Sequence, residues 1–124
     1  MADPVPLFSA AEPTFAVGRA LCRSLLDSSA KIDCAFAAND LLGVGAVLHC
    51  IEAGLSLPGD LALCGFNDLP ISREIGGGLT TVHSPRREIG RETARLFLAL
   101  DEDGATREAR VRRVDCHIVQ RATT

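Results

Sequence analysis

No charged residue lies between Asp40 and Glu52, and Leu41, Leu42, Val44, Val47, Leu48 and Ile51 cover nearly the whole circumference of a helix. A helix apolar all round is buried on two sides, against its own sheet and against something else. Segment 41–55 reads as that helix, with Gly54 placed to be a left-handed C-terminal residue. A strand-length apolar run, Ile32 to Ala38, precedes it. A second, Leu61 to Phe66, follows the turn LPGD. Strands alternating with helical segments indicate an α/β layer with a mostly parallel sheet.

The rest of the chain extends this order. From Thr14, Phe15, Leu21, Leu25 and Leu26 recur at helical spacing, with Arg19, Arg23 and Asp27 off that face and DSSAK as the stop. Ile71 to Ile75 reads as a short helix broken by Gly76 to Gly78, and LTTVHS as a strand. Ser84-Pro85 opens an amphipathic helix with Ile89, Thr93, Leu96, Phe97 and Leu100 on one face. DEDGATREA reads as a polar loop. Val114, Cys116 and Ile118 then alternate with Asp115 and His117 as in a half-buried strand. The expected fold is therefore α/β, a three-layer, doubly wound, mostly parallel sheet. Ligands of such sheets sit at the carboxyl ends of the strands, where Asn39 follows CAFAA and Asn67 follows LCGF.

Composition narrows the chemistry. With 124 residues the chain can form one small domain. A net charge of -3, no Trp or Tyr and five Phe argue against gripping phosphates or stacking single-stranded bases. Cys22, Cys34, Cys50, Cys64 and Cys116 form no C-x-x-C pair and lie among apolar residues. They read as reduced and buried, with neither a disulfide nor a metal role, in a cytoplasmic protein. No basic-then-apolar leader and no membrane-length stretch is visible, so a soluble chain with no membrane partner is expected.

Asn39-Asp40 has two local readings. As a helix cap the pair satisfies an orphan N–H and contributes about 1 kcal/mol. Alternatively, it stands at the mouth of a pocket. The two coexist if Asp40 caps while Asn39 faces a cleft. Asn67-Asp68 carries the same ambiguity, since NDLP also suits a turn. His83 and Ser84 are adjacent on a strand, point to opposite faces and cannot form a nucleophile–base pair. His49 and His117 read as packing or solvent-facing residues. The Gly43–Gly45 and Gly76–Gly78 segments lack the context of a phosphate cradle, and RVRR reads as a solvated edge. No catalytic constellation, metal site or cofactor loop emerges, so the chain is not expected to be an enzyme.

FAANDLLGVGAVLHCIEAGLSLPGDLALCGFNDLP, followed by LTTVHSPRREIGRETARLFL, resembles the C-terminal part of the LacI/GalR family of bacterial transcription repressors. The similarity runs from about Thr14 to the C-terminus, and the wording around GFNDLPI is nearest to the gluconate-type regulators. The resemblance implies the C-terminal subdomain of a type I periplasmic-binding-protein-like sensor, incomplete here. Residues 1–13 would be a lead-in, 14–84 the partial effector-binding subdomain, and 85–124 a crossover helix and the final strands. Its expected function is effector sensing and dimerisation in a regulator that binds DNA only through an N-terminal headpiece absent from this chain. A periplasmic-type sugar-binding protein and an α/β enzyme fragment are the rival readings.

The resemblance also implies a site. Asn39 matches the effector-contacting Asn of the family's AND motif. Asn67 matches the acidic position after GF that accepts hydrogen bonds from sugar hydroxyls. A ring-stacking position falls near Pro13, with Phe15 the nearest aromatic, and a polar hinge position falls on Ser84. Asn67 exchanges a charged acceptor for an amide that also donates, which suits a sugar acid better than a carboxylate would. With half the cleft missing, effector binding is expected to be weak or absent. A homodimer or larger assembly is expected through Val44, Val47 and Leu48, with Ile75 contributing. The helix after Pro85 is expected to pack on the missing half, exposed apolar surface that invites self-association.

Overall fold

The computed structural model describes Pro6, residues 11–102 and residues 111–124. Its elements are α1 (Phe15–Leu26), β1 (Cys34–Phe36), α2 (Asp40–Glu52), β2 (Ala62–Phe66), α3 (Ile71–Glu74), β3 (Thr80–His83), α4 (Arg86–Glu102) and β4 (His117–Val119). This is the element order expected from the pattern. Thr14 starts α1 by accepting a hydrogen bond from the Val17 N–H at 3.2 Å. Gly54, at φ 70°, lies just past the end of α2.

The strands form an open four-stranded sheet in the order β1-β2-β3-β4. The first three are parallel, with Cys34 opposite Ala62, Phe36 opposite Cys64, Cys64 opposite Thr80 and Phe66 opposite Val82. Their carboxyl ends therefore lie side by side, and the loops after β1 and β2 emerge at one edge.

Two compact units make up the chain. One comprises the chain up to His83 together with Ile118–Thr124, the other Ser84–His117. The tail thus returns to the first unit, whereas the sequence reading grouped it with the crossover helix in 85–124. Of that reading, most of the lead-in 1–13 and part of DEDGATREA lie outside the described residues, as does Arg110 of the basic patch. In the second unit, α4 runs through Glu102, and Arg95 pairs with Glu92 one turn back. Ile89 and Phe97 of its apolar stripe are exposed.

In the first unit, Val44, Val47 and Cys50 of α2 pack with Leu61, Leu63, Leu79 and Cys22. The second side of the all-apolar helix is covered by α1. The crossing is close enough that a Cβ on Gly18 would land on the Leu42 carbonyl oxygen, and one on Gly45 on the Phe15 carbonyl oxygen. This corrects the expected dimer face. Val44 and Val47 are 1% and 0% exposed, so they belong to the chain's own core and are not available to a second copy. Leu48 and Ile75 are half-buried at its margin.

The cysteine expectation also needs correcting. Cys22 and Cys50 are buried, with sulfurs 3.9 Å apart, but Cys34 and Cys116 are exposed. Alternation along β1 explains Cys34: Ala35 packs against the core, so Cys34 and Phe36 face the other way.

The tail holds β2 to β3. Buried Thr123 accepts from the Thr80 N–H at 2.9 Å and donates to the Leu63 carbonyl at 2.7 Å through its hydroxyl. Its own carbonyl accepts from the Leu63 N–H at 2.8 Å.

Candidate functional site

Asn39 is the N-cap of α2. Its backbone is extended, and its Oδ1 accepts from the Leu41 N–H at 2.7 Å. The capping role expected of Asp40 therefore belongs to Asn39. Among the described residues the Asn39 Nδ2 donors have no partner, so capping leaves them available to a ligand. Asp40, the first residue of α2, is fully buried and serves a different purpose. Its Oδ2 accepts from the Leu69 N–H at 2.6 Å and its Oδ1 from the Thr81 hydroxyl at 2.6 Å. One carboxylate thereby joins the start of α2, the loop after β2, and β3. Gly65 makes this possible, because a Cβ there would strike the Asp40 carboxylate.

Asn67 leaves β2 at φ 109°, its N–H donating to the Val82 carbonyl at 2.9 Å. Its side chain is half-buried, with no hydrogen-bond partner among the described residues. Asp68 follows at φ 49° and is the charge centre of the loop. Its carboxylate meets Arg121 Nη2 at 2.6 Å, His83 Nδ1 at 3.0 Å and the more exposed Arg73 at 3.5 Å. Burial alone would push this carboxyl up. The hydrogen bonds from Arg121 and His83 and the charges of Arg121 and Arg73 outweigh that and hold it below its ordinary value.

A carboxyl lowered by folding contributes stability above its unfolded range, and that contribution is lost as pH falls through the folded value. From near neutrality down to about pH 3, the urea midpoint of the wild-type chain should thus fall further than that of Asp68→Asn. Parallel pH profiles for the two proteins would show that the cluster adds nothing to folding.

The structure brings Asn39 and Asn67 to one edge of the sheet and ties their loops together through Asp40. It does not join the other expected residues to them by any hydrogen bond among the described residues. Pro13 is exposed ahead of α1. Phe15 is exposed too, with its carbonyl over Gly45. Ser84 lies in the second unit, buried, its carbonyl accepting from the Arg86 N–H at 2.8 Å. Sequence reasoning missed the tying residues. Asp40 had a signal, as the one carboxylate at the mouth of a charge-free segment. Arg121 had none, since its partner stands 53 positions away.

Chemically this edge can recognise a polar ligand through two amides. Among the described residues no group of three or more His, Cys, Asp or Glu could hold a metal ion. Burial pushes the Cys22 thiol up to about 12, aided by Cys50 beside it. Cys64 is raised by burial and by the Asp40 charge, so neither thiol is poised as a nucleophile. No helix among the described residues is long and apolar enough to cross a membrane.

The periplasmic binding protein-like domain family matches residues 3–124. A Pseudomonas aeruginosa HTH-type transcriptional regulator, GntR, is 40% identical over 85 residues, covering 68% of this chain and 25% of that protein. The HTH-type transcriptional repressor CytR of Escherichia coli is 32% identical over 112 residues, covering 90% of this chain and 32% of its own. The solved complex of the transcriptional regulator CelR with cellobiose superposes with a TM-score of 0.79 at 31% identity, over 90% of this chain and 34% of that one. The chain therefore spans about a quarter to a third of the length of the curated relatives it matches.

Proposed function

Since the chain belongs to the periplasmic binding protein-like domain family, among the LacI/GalR-type regulators, we propose that it is the effector-sensing and dimerisation portion of a cytoplasmic, DNA-binding transcriptional repressor. The observation that carries this reading is the Asp40 carboxylate. It locks the loops of Asn39 and Asn67 to each other at the carboxyl ends of the parallel strands β1 and β2, where such folds take ligands. The relatives are regulators rather than enzymes, and CelR was solved with a sugar. Operator binding would require a headpiece beyond these residues. An effector held more tightly in one cleft geometry would shift the population of DNA-binding states, by no more than its differential affinity for the two.

A sugar acid fits this edge better than a neutral sugar. Asn67 offers amide donors where a carboxylate would repel an acid, and the adjacent Asp68 charge is met by Arg121, His83 and Arg73. Self-association would use the apolar surface that α2 and its neighbours leave outside: Ile51 at 52% exposure and Ile71 at 36%, beside Leu48 and Ile75.

Of the weak or absent binding expected of a half-cleft, two amides held at one edge favour weak binding, which chemical-shift mapping on nitrogen-labelled protein detects. Titration with D-gluconate should move the side-chain amide signals of Asn39 and Asn67, and do so at lower concentration than D-glucose. Asn67→Asp should weaken the gluconate response about tenfold, as a like charge in a partly desolvated site requires. Light scattering on the same sample should give at least twice the mass of one chain. Amide signals unmoved by either compound would overturn the effector reading, glucose acting before gluconate would overturn the sugar-acid assignment, and a monomer mass would remove dimerisation.

A further inference from the structure

Asn67 and Asp68 are consecutive non-glycine residues at positive φ, 109° and 49°. Asn and Asp tolerate left-handed backbone better than other L residues, but the favoured well lies near +57° and Asn67 is far outside it. Such positions are strained and persist only where the surroundings hold them. Four anchors hold this turn: the Asn67 N–H on Val82, the Asp68 N–H on Thr81 Oγ1 at 3.4 Å, the Leu69 N–H on Asp40, and the Asp68 carboxylate.

The carboxylate anchor begins in the tail. The Arg121 backbone is itself fixed, its N–H donating to Thr80 Oγ1 at 2.8 Å, while Ala122 and Thr123 bond to Gly78 and Leu63. Gly78 leaves room for the arginine stem, since a Cβ there would lie 2.6 Å from Arg121 Cδ. The guanidinium, its side chain 13% exposed, donates through Nη1 to the Leu79 carbonyl at 2.7 Å and through Nη2 to Asp68 Oδ1 at 2.6 Å. A planar fork spanning two fixed acceptors is a rigid strut, which a lysine ammonium cannot reproduce.

We propose that Arg121 is a positioning residue for effector recognition. Anchored by the tail, it holds the Asn67–Asp68 turn in its left-handed form and so sets where the Asn67 amide stands at the edge of the sheet. The proposal rests on the reading of Asn67 as an effector contact, but its mechanical part can be measured without any ligand.

Amide hydrogen exchange on the whole 124-residue chain provides that measurement. Arg121→Ala should speed exchange of the Asn67 and Leu69 amides about tenfold, as loss of a charge-assisted hydrogen bond implies. The helical amides of Gly43 and Ala53 should keep their rates. Arg121→Lys should recover only part of the protection. In an Asn67→Gly background, Arg121→Ala should lose most of its effect, because glycine adopts φ 109° without strain. A merely structural arginine would act equally in both backgrounds. If Arg121→Ala accelerates every amide together, the comparison of Arg121→Lys with and without Asn67→Gly decides instead. Unchanged Asn67 and Leu69 rates in both arginine variants, or an equal effect in the glycine background, would overturn the proposal. Wild-type amide signals that ignore both sugars would instead overturn the function proposed above, leaving the exchange result to judge Arg121 by itself.

Discussion

Gly45→Ala should destabilise the chain by about 3 kcal/mol, read as a lower urea midpoint. In an open helix the same change gains about 1 kcal/mol, because alanine loses less backbone entropy. Here the added methyl would land on the Phe15 carbonyl oxygen, with Gly18 Cα 2.9 Å away and the Arg19 N at 3.0 Å. All three are backbone atoms, so no side-chain rotation relieves the clash, and α1 must lift from α2. That uncovers one side of a helix with no charge on its long middle stretch. Gly90 in α4 is the control, since a Cβ there would meet nothing within 4 Å among the described residues. Gly90→Ala should raise helicity slightly. A Gly45→Ala chain as stable as the wild type would mean that α1 and α2 do not cross this closely.

Asp40→Ala should cost a similar amount, about 3 kcal/mol or more, because two hydrogen bonds to a buried carboxylate are lost at once. The Leu69 N–H and the Thr81 hydroxyl, both facing the Asp40 carboxylate, would be left without that acceptor. Position adds to the effect, since a carboxylate in the first turn of α2 also meets the positive end of the helix dipole. Asp40→Asn should cost about half as much, since one amide oxygen still accepts while the amide nitrogen cannot take the Thr81 proton. Beyond stability, both variants should weaken the paired response of Asn39 and Asn67 to gluconate, as the two loops are no longer held together. Retention of that response in Asp40→Ala, with the chain folded, would show that the loops are placed independently.

Much of this molecule was legible in its residues. The 3.6-residue period of α1, the short apolar runs of β1 and β2 and the proline-led start of α4 are local signals. Local signals survive into the fold when burial reinforces them, and all eight elements appear in the order expected. The two asparagines were legible for a related reason. A polar residue ending an apolar strand of a parallel sheet has few places to be except the carboxyl edge. What covers the second side of α2 was not legible. An all-apolar helix demands a partner, but periodicity does not name it, and α1 with Gly18 at the crossing fills the place assigned to a second copy.

The division at Asn39-Asp40 shows the limit most clearly. Both residues are good helix caps, and the sequence by itself determined that one of them would start α2 at the edge of the sheet. Only the tertiary structure decided which. Asn39 caps because Asp40 is drawn inward to the Leu69 N–H and the Thr81 hydroxyl, partners 29 and 41 residues away, across a gap that Gly65 keeps open. Arg121 reaches Asp68 by the same kind of long-range contact. Helices, strands and their ends follow from near neighbours along the chain. The placement of charge in this site follows from which distant segments the sheet sets side by side, and no local pattern encodes that.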